Sequence, residues 1–254
     1  MIELKNISFS YYGKKILDGI TLDIREGELC GIIGPNGCGK TTLIRLLSRM
    51  TSPEGGEIKL NGIPYTDISR KEFARSVSYF PQGRPIPDMT AEELVAHGRF
   101  PYTSGGRLSA ADKIAIDAAF DGAECSEFRH RSLRELSFGE RQRVYMAMLL
   151  AQDARFAFLD EPTTYMDISN QFAMLSLLRR MSGGGCGVAT VLHDVGSALK
   201  FCDRIVVISG GRIAFDGSPN AAVASGSISE IFGVGCRSVE VDGVREYILT
   251  HQQS

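Results

Sequence analysis

The sequence predicts an α/β fold with a parallel sheet, and two patterns of elements support that prediction. In the second half of the chain, short apolar strands such as "FAFLD" (156–160) and "VATVLH" (188–193) alternate with helical segments. Alternation of this kind is typical of βαβ units, in which the strands pair in parallel. Residues 1–25 instead contain two strands joined by a turn at Gly13, which indicates an antiparallel β layer.

A block of helices at about 85–152 interrupts the alternation, and we expect it to form a helical subdomain. Three of its helix starts carry the pattern of a capping box, a hydroxyl residue followed three positions later by an acid. These pairs are Thr90 with Glu93, Ser109 with Asp112 and Ser137 with Glu140. The whole chain, 1–254, is expected to be one domain with a short C-terminal extension at about 219–254.

The overall composition disfavours several classes of function. The chain has 254 residues, 43% hydrophobic and 23% charged, and its net charge is −2. Nucleic-acid-binding proteins usually carry a basic excess, so no nucleic-acid partner is expected. The six cysteines show no CxxC pair or zinc-like spacing and are expected to be free thiols. The N-terminus lacks the pattern of a signal peptide, and no apolar run approaches the roughly 18 residues of a membrane span.

A glycine-rich segment after an early apolar strand has the pattern of a phosphate-binding loop. "GPNGCGKTT" fits G-x-x-x-x-G-K-[ST] and lies between the strand 29–33 and an amphipathic helix. In such a loop the backbone N–H groups converge on phosphate, the lysine reaches the β- and γ-phosphates, and the hydroxyl binds Mg²⁺. The sequence therefore predicts binding of a nucleoside triphosphate with Mg²⁺. The residues assigned to this role are Gly34, Pro35, Asn36, Gly37, Cys38, Gly39, Lys40, Thr41 and Thr42.

Three further side chains follow apolar strands and are candidates for chemistry on that phosphate. Asp160 and Glu161 come at the end of "FAFLD", on the carboxyl edge where α/β sheets bind ligands. Asp160 is expected to hold Mg²⁺, mostly through water, and Glu161 to polarise the attacking water as general base. His193 ends "VATVLH" and is expected to contact the γ-phosphate. Lys40, Glu161 and His193 are thus the candidate catalytic residues.

A second phosphate-binding pattern occurs about a hundred residues after the first. "RELSFGERQRV" (134–144) places Ser137 and Gly139 at the start of a helix, where N–H groups and the helix dipole favour an anion. Because the loop at 34–42 is already a better phosphate site, one binding site per chain does not account for both patterns.

In combination, these segments resemble the ATP-binding subunit of an ABC transporter over essentially the whole chain. "GPNGCGKTT" resembles the Walker A loop, Gln82 the Q-loop residue and "LSFGERQR" the signature motif. "FAFLDEPT" resembles Walker B, "TYMD" the D-loop and "LHD" the switch-histidine segment. The resemblance implies an ATPase with a P-loop NTPase fold: a RecA-like core, an antiparallel β subdomain and a helical subdomain. It also implies that Gln82 joins Thr41 and Asp160 in organising Mg²⁺.

The resemblance accounts for the second phosphate-binding pattern. In this family two copies bind head-to-tail, and the signature motif of one copy closes on the ATP held by the other. Ser137 and the Gly139 N–H would therefore touch a γ-phosphate bound by a second copy of this chain. Tyr12 lies where the family has an aromatic ring that stacks on adenine, although Tyr11 and Tyr12 are also compatible with ordinary strand positions.

The signature departs from the family's usual LSGGQ at two positions. Phe138 stands in place of the first glycine, and Glu140 in place of the glutamine. One interpretation is that Phe138 packs outward while Glu140 completes the capping box. The other is a weakened or slow ATPase.

A finer resemblance is to importers of iron–siderophore, haem and cobalamin type. It depends on "GPNGCGK", a "GRFP" segment at 98–101, "AMLLAQD" and "EPTTYMDI". It implies that the chain works at the cytoplasmic face of a bacterial membrane and powers import of a metal chelate. A ferric siderophore is the favoured cargo, and haem and cobalamin are the alternatives. The implied partners are an integral membrane permease, received in a groove around Gln82–Tyr102, and indirectly an extracytoplasmic substrate-binding protein.

Two other classes of protein share part of this pattern. A P-loop kinase or GTPase would not need the signature or the switch histidine, and the NKxD-type motif of GTPases is absent from the sequence. A soluble ABC ATPase that takes no part in transport is the serious alternative. Members active in DNA repair usually insert a long coiled coil and those active in translation fuse two cassettes, and neither feature occurs here.

Overall fold

The computed structural model describes residues 1–83, 85–103 and 105–251. The strands are β1 (Ile2–Tyr11), β2 (Lys14–Ile24), β3 (Leu29–Ile33), β4 (Gly55–Leu60), β5 (Ile63–Pro64), β6 (Val77–Phe80), β7 (Phe156–Asp160), β8 (Gly187–Val191), β9 (Arg204–Ser209), β10 (Arg212–Gly217), β11 (Val234–Val241) and β12 (Val244–His251). The α-helices are α1 (Lys40–Leu47), α2 (Arg70–Ser76), α3 (Ala91–His97), α4 (Ala110–Gly122), α5 (Phe138–Gln152), α6 (Ile168–Gly183), α7 (Val195–Phe201), α8 (Pro219–Ala224) and α9 (Ser227–Phe232).

A six-stranded sheet forms the core, in the order β10-β9-β3-β8-β7-β6. Its strands from β9 to β6 run parallel, and β10 pairs antiparallel with β9 at one edge. The parallel sheet predicted from the alternation of strands and helices is therefore confirmed. The edge strand β10, which follows the turn at Gly210 and Gly211, was not predicted.

The predicted antiparallel layer is also present, as a four-stranded sheet in the order β2-β1-β4-β5. Tyr12 and Gly13 join β1 to β2 with φ angles of 50° and 78°. Two consecutive left-handed residues are what a two-residue hairpin turn of the favoured type requires. A second turn of this kind, at Asn61 and Gly62, joins β4 to β5, and Asn-Gly is the dipeptide that such turns favour.

Apolar side chains cover both faces of the six-stranded sheet. Along β3, Leu29 and Ile33 face the side covered by the helices α3 to α7, whereas Cys30 and Ile32 face the antiparallel sheet and α1. Alternation of this kind is what the two-residue period of a strand requires when both faces are buried. The six cysteines are free thiols, as predicted.

One arginine joins the antiparallel sheet to the core sheet. Arg204 on β9 donates two hydrogen bonds to the Asp216 carboxylate on β10, at 2.5 and 2.6 Å, and also contacts Asp23 on β2. The guanidinium side chain is only 9% exposed. Because Arg204 is buried, moving β2 and its Asp23 away from β9 would remove one of the partners of a buried charge, which helps to fix the relative position of the two sheets.

The three predicted capping boxes all form, at the starts of α3, α4 and α5. α3 and α4 pack against α5, and the guanidinium of Arg99 beyond α3 pairs with Asp112 in α4, with 2.9 Å between Nε and Oδ1. The division of the chain at about 85–152 and at 219 remains a prediction. Two short helices, α8 and α9, precede the C-terminal hairpin of β11 and β12, which turns at Asp242 and Gly243.

β8 ends earlier than predicted, and β6 ends just before a proline. β6 stops at Phe80, because Pro81 has no N–H to donate to the next strand position. β8 stops at Val191 instead of reaching His193, since the chain leaves the sheet to begin α7, whose N-cap is Asp194. Within the described part of the chain, no helix is both long enough and apolar enough to cross a bilayer.

Candidate active site

Four neighbouring strands deliver the predicted site residues to one edge of the sheet. β3, β8, β7 and β6 are consecutive parallel neighbours, so their carboxyl ends lie side by side. β3 leads into the loop 34–39, β8 towards His193, β7 ends at Asp160, and Gln82 follows β6. This is the edge at which open α/β sheets bind ligands. Residues far apart in the sequence are therefore brought together.

The loop between β3 and α1 needs glycine at two positions. Gly34 has a φ of 154°, and a Cβ on it would lie 2.2 Å from the Ile208 carbonyl oxygen. Gly39 has a φ of 109°, and a Cβ there would lie 2.6 Å from the Leu17 side chain in β2. Any larger residue would displace the loop from β2 and from the end of β9. The packing thus fixes a curled backbone ahead of a helix N-terminus, as phosphate binding requires.

Lys40 lies inside this loop instead of extending into solvent. Its Nζ donates hydrogen bonds to the carbonyl oxygens of Gly34, at 2.7 Å, and Pro35, at 3.0 Å. The residue is 5% exposed. The ammonium group is therefore held against the loop backbone, and its contact with phosphate remains a prediction.

Thr41 and Asp160 meet beside the loop, and their oxygens fit Mg²⁺. The Thr41 hydroxyl donates to Asp160 Oδ1 at 3.0 Å. Burial, above all, raises the pKa of Asp160, and the hydrogen bond from Thr41 offsets that rise only in part. A divalent cation would favour the ionised form of this carboxylate, and hard oxygen donors are what Mg²⁺ prefers. Among the described residues no three His, Cys, Asp or Glu side chains are grouped so that they could hold a metal ion.

The Glu161 carboxylate is held by three side chains from three segments. His193 Nε2 lies 2.5 Å from Oε1, and the Gln82 Nε2 donates to Oε2 at 2.5 Å. The Thr164 hydroxyl also donates to Oε2, at 3.3 Å. The Glu161 side chain is 10% exposed and its φ is 52°, a left-handed conformation that turns the chain sharply after β7. Gln82 is therefore joined to the candidate general base, while Thr41 and Asp160 form a separate pair.

Tyr12 extends from the β1–β2 turn with its side chain fully exposed. Residues 16 and 17, a few positions further along β2, lie against Gly39 of the phosphate loop. The start of β2 therefore lies against the loop, and the exposed Tyr12 ring lies four residues before that contact in the sequence.

Ser137 and Gly139 occupy the start of α5, as predicted, and Glu140 completes the cap. The Ser137 hydroxyl oxygen accepts from the Glu140 N–H at 3.3 Å, while the Glu140 carboxylate accepts from the Ser137 N–H at 2.6 Å. These hydrogen bonds hold the pKa of Glu140 below its usual value. A Cβ on Gly139 would come within 3.3 Å of the Asn170 amide nitrogen in α6. Glu140 thus completes the capping box, a role that glutamine could also fill.

Within the described residues, no hydrogen bond or ion pair joins the loop 34–42 to residues 137–140 of the same chain. The start of α5 instead lines an open cleft of about 460 Å³ with the loop after β7 and the start of α6. The structure therefore groups the predicted residues in two sets, one around the phosphate loop and one around Ser137 and Gly139.

The sequence analysis did not predict two contacts of the loop that follows β7. Thr164 follows Glu161 by three positions, a spacing at which a hydroxyl can close a turn onto an acid, so the spacing was a usable signal. Phe138 and Tyr165 contact each other edge-to-face, with ring centroids 6.4 Å apart. Nothing in the local sequence indicates that these two rings meet.

Comparison with known proteins identifies the family. The profile described as "ABC transporter" matches residues 17–164. The chain belongs to the ABC transporter family. Its fold, with a P-loop NTPase core, an antiparallel β sheet and packed helices, is the ABC ATPase cassette, and its activity is that of an ABC ATPase that binds and hydrolyses ATP.

Two curated relatives and one solved structure illustrate the similarity. The ferric enterobactin transport ATP-binding protein FepC of Escherichia coli K12 is 36% identical over 233 residues, covering 90% of this chain and 86% of FepC. The hemin import ATP-binding protein HmuV of Bradyrhizobium diazoefficiens is 36% identical over 258 residues, covering 98% of this chain and 94% of HmuV. The dimeric structure of MJ0796, a bacterial ABC transporter cassette, matches with a TM-score of 0.76 at 28% identity, covering 86% of this chain and 99% of MJ0796.

Proposed function

We propose that this ABC ATPase powers import of a metal chelate through a membrane permease. The favoured cargo is a ferric siderophore, and haem and cobalamin are the alternatives. The observation that carries the cargo class is the similarity to FepC and HmuV, whose names state ferric enterobactin transport and hemin import. That similarity extends over at least nine-tenths of this chain, well beyond the residues that handle phosphate. Cobalamin is supported by the sequence motifs alone.

The site geometry supports a division of roles around the triphosphate. Lys40 and the loop N–H groups would neutralise phosphate charge, and Tyr12 would stack on the adenine. Thr41, Asp160 and Gln82 would hold Mg²⁺, which supplies further charge neutralisation at the phosphates when bound.

Glu161 would take the proton of the attacking water. Its carboxylate is oriented by Gln82, His193 and Thr164, which engage both oxygens, so one of these contacts would open to present an oxygen to that water. His193 would contact the γ-phosphate through the same ring that contacts Glu161.

A head-to-tail dimer would complete the site. Ser137 and Gly139 lie at a helix N-terminus that points N–H groups into an open cleft, apart from the phosphate loop of the same chain. Phosphate held by a second copy would satisfy those groups. The dimeric state of MJ0796 is consistent with this arrangement. ATP would then hold two copies together, and its hydrolysis would release them.

The segment around Gln82–Tyr102 is the proposed groove for the permease. Ile86 and Phe100 in this segment are 42% and 56% exposed, and exposed apolar side chains of this size suit a protein partner. Arg84 also falls in the segment but lies outside the described residues. This placement implies work at the cytoplasmic face of a bacterial membrane, with an extracytoplasmic binding protein delivering the cargo.

Recovery of a tagged copy of the chain from detergent-solubilised native membranes tests the transport proposal. A polytopic partner in roughly stoichiometric amount is expected. Recovery from the soluble fraction alone, without a membrane partner, would overturn the proposal in favour of an ABC ATPase without a role in transport.

The cargo is tested on the recovered complex. In proteoliposomes with its binding protein, ATP hydrolysis should rise more with a ferric siderophore than with haem or cobalamin. A complex carrying Glu161→Gln serves as the matched control, because it should assemble but hydrolyse little ATP with any cargo.

A further inference from the structure

We propose that Phe138 and Tyr165 are positioning residues for ATP hydrolysis: their ring contact fixes the loop that carries Glu161 against the start of α5 that carries Ser137. The rings meet nearly at right angles, with an interplanar angle of 86° and centroids 6.4 Å apart. Edge-to-face pairs at this distance attract each other beyond the area they bury. Phe138 is one of the two departures from the family's usual signature, so the contact is a property of this chain.

The loop 161–167 is a sequence of tight turns that needs external support. Glu161 and Tyr165 both adopt left-handed φ angles, 52° and 65°. The Thr164 N–H bonds to the Glu161 carbonyl and the Met166 N–H to the Thr163 carbonyl, each at 3.3 Å, the long end of the range. A bulky residue in the left-handed region is strained and persists only where its surroundings hold it.

The base of this loop is fixed to α5 by a different set of contacts. Asn170 in the first turn of α6 packs on Gly139 and accepts a hydrogen bond from Arg143 at 3.2 Å. Asp167 caps α6 and binds the Asn170 amide at 2.7 Å. These contacts hold the end of the loop but not its apex, where Tyr165 lies with 88% of its surface exposed. Next to the apex, the Gln171 side-chain amide donates to the Met166 carbonyl at 2.9 Å, and the Phe138 ring contacts the Tyr165 side chain itself.

The contact connects two functions of one copy. Ser137 immediately precedes Phe138, and Glu161 lies four residues before Tyr165. In the proposed dimer, on which this inference rests, Ser137 touches ATP bound by the partner while Glu161 acts on ATP bound by its own chain. Closure of the signature on the partner's phosphate would therefore be transmitted through the ring pair to the carboxylate that activates water.

Five variants of the full chain test this. Phe138→Leu and Tyr165→Asn remove one ring each, and Asn tolerates the left-handed φ. Phe138→Tyr and Tyr165→Phe keep both rings, and Phe138→Leu/Tyr165→Asn removes the pair. For each we would measure kcat for ATP hydrolysis, the Kd for ATP and the thermal midpoint. Phe138 is 38% exposed and Tyr165 is more exposed, so the thermal midpoint of each variant is expected to equal that of the wild type. If Tyr165→Asn lowers the thermal midpoint, Tyr165→Gly is used in its place.

The expected result is a kcat lowered about 2- to 10-fold in each ring-losing variant, the range that such a ring pair is worth. Kd for ATP stays unchanged, the ring-keeping variants keep the wild-type kcat, and the double variant is no slower than the slower single one. The inference would be overturned by a wild-type kcat in both ring-losing variants. It would also be overturned if the losses in kcat multiplied in the double variant, or if the ring-keeping variants lost as much kcat as the ring-losing ones.

A separate measurement of dimerisation distinguishes failure of the dimer proposal from failure of the positioning role. If the dimer proposal fails, Ser137→Arg would still dimerise with ATP. If Ser137→Arg blocks dimerisation while both ring-losing variants turn over normally, the dimer stands and the positioning role is wrong.

Discussion

His193 Nε2 lies 2.5 Å from Glu161 Oε1, on the opposite oxygen of the carboxylate from the Gln82 amide. The two donors come from the ends of β8 and β6, the strands on either side of β7, which leads to Glu161. A carboxylate held from both flanks has a defined orientation, and a general base depends on that orientation as much as on its proton affinity.

Replacing Glu161 with Gln removes the base while nearly preserving the shape of the side chain. We expect ATP hydrolysis to fall by about 10²–10⁴-fold, the usual range for loss of a general base. ATP binding should persist, so an ATP-bound dimer should accumulate. Phosphate release under saturating ATP and size-exclusion chromatography with ATP measure the two effects.

Glu240→Gln is the matched control for that substitution. Glu240 is exposed on β11, far from the phosphate loop in sequence, and its replacement should leave turnover unchanged. Turnover near the wild-type rate in Glu161→Gln would remove Glu161 from the role of base.

The trans half-site is tested by Ser137→Arg. A long cation at the N-cap removes the hydroxyl from the helix start and fills the open cleft in front of it. We expect ATP-driven dimerisation to be lost, with ATP binding by the single chain retained. Sedimentation velocity with and without ATP measures the first, and fluorescent-nucleotide titration the second. Ser238→Arg, an exposed position on β11, is the control that should dimerise normally.

The elements that build the site could be predicted from sequence because their signals are local. The loop 34–41 follows a buried strand and opens α1, and the α5 start carries its own capping residues, Ser137 and Glu140. Sheet alternation then predicts that Asp160 and His193 share an edge with the loop. Each of these inferences needs only a few neighbouring residues or the parallel pairing rule.

The contacts between segments could not be predicted. That Gln82 binds Glu161, or that the Phe138 ring meets Tyr165, depends on the strand order β8-β7-β6 and on how α5 packs over it. Neither is encoded at short range. β10 and the short helices α2, α8 and α9 were missed for a related reason, since elements this short are stabilised by tertiary packing more than by their own sequence.

Asp112 should make stability depend on pH in the acid range. The Ser109 hydroxyl and N–H, and then Arg99, lower its pKa from 3.8 to about 2. Because the pKa is lower in the folded state, its contribution is complete above about pH 4 and is lost as the pH falls towards 2. Asp112→Asn also leaves the Arg99 guanidinium, 10% exposed, without its counter-ion. We expect a loss of about 3 kcal/mol in unfolding free energy at pH 7.

Urea unfolding followed by circular dichroism at pH 7 and pH 3 measures this difference. The gap in unfolding free energy between wild type and Asp112→Asn should narrow at pH 3, because the Asp112 carboxyl of the unfolded chain, with its ordinary pKa of 3.8, is then largely protonated. Asp117→Asn on the same helix is the control, because its side chain is 58% exposed and its ion pair with Arg129 is worth under about 1 kcal/mol. A gap that stays constant with pH would mean that the charge of Asp112 does not stabilise the fold.

Thr190 offers a substitution that should stabilise the protein. It is the last residue but one of β8, is 0% exposed, and its Oγ1 has no hydrogen-bond partner among the described residues. A buried hydroxyl without a partner costs about 1–3 kcal/mol, and valine has nearly the same shape and suits a strand. Thr190→Val should therefore raise the free energy of unfolding by about 1–2 kcal/mol without changing ATP hydrolysis. Thr250→Val, exposed on β12, should change it by less than about 0.5 kcal/mol. A drop in stability of Thr190→Val would show that the hydroxyl is satisfied in solution, by water reaching the core between β8 and its neighbours.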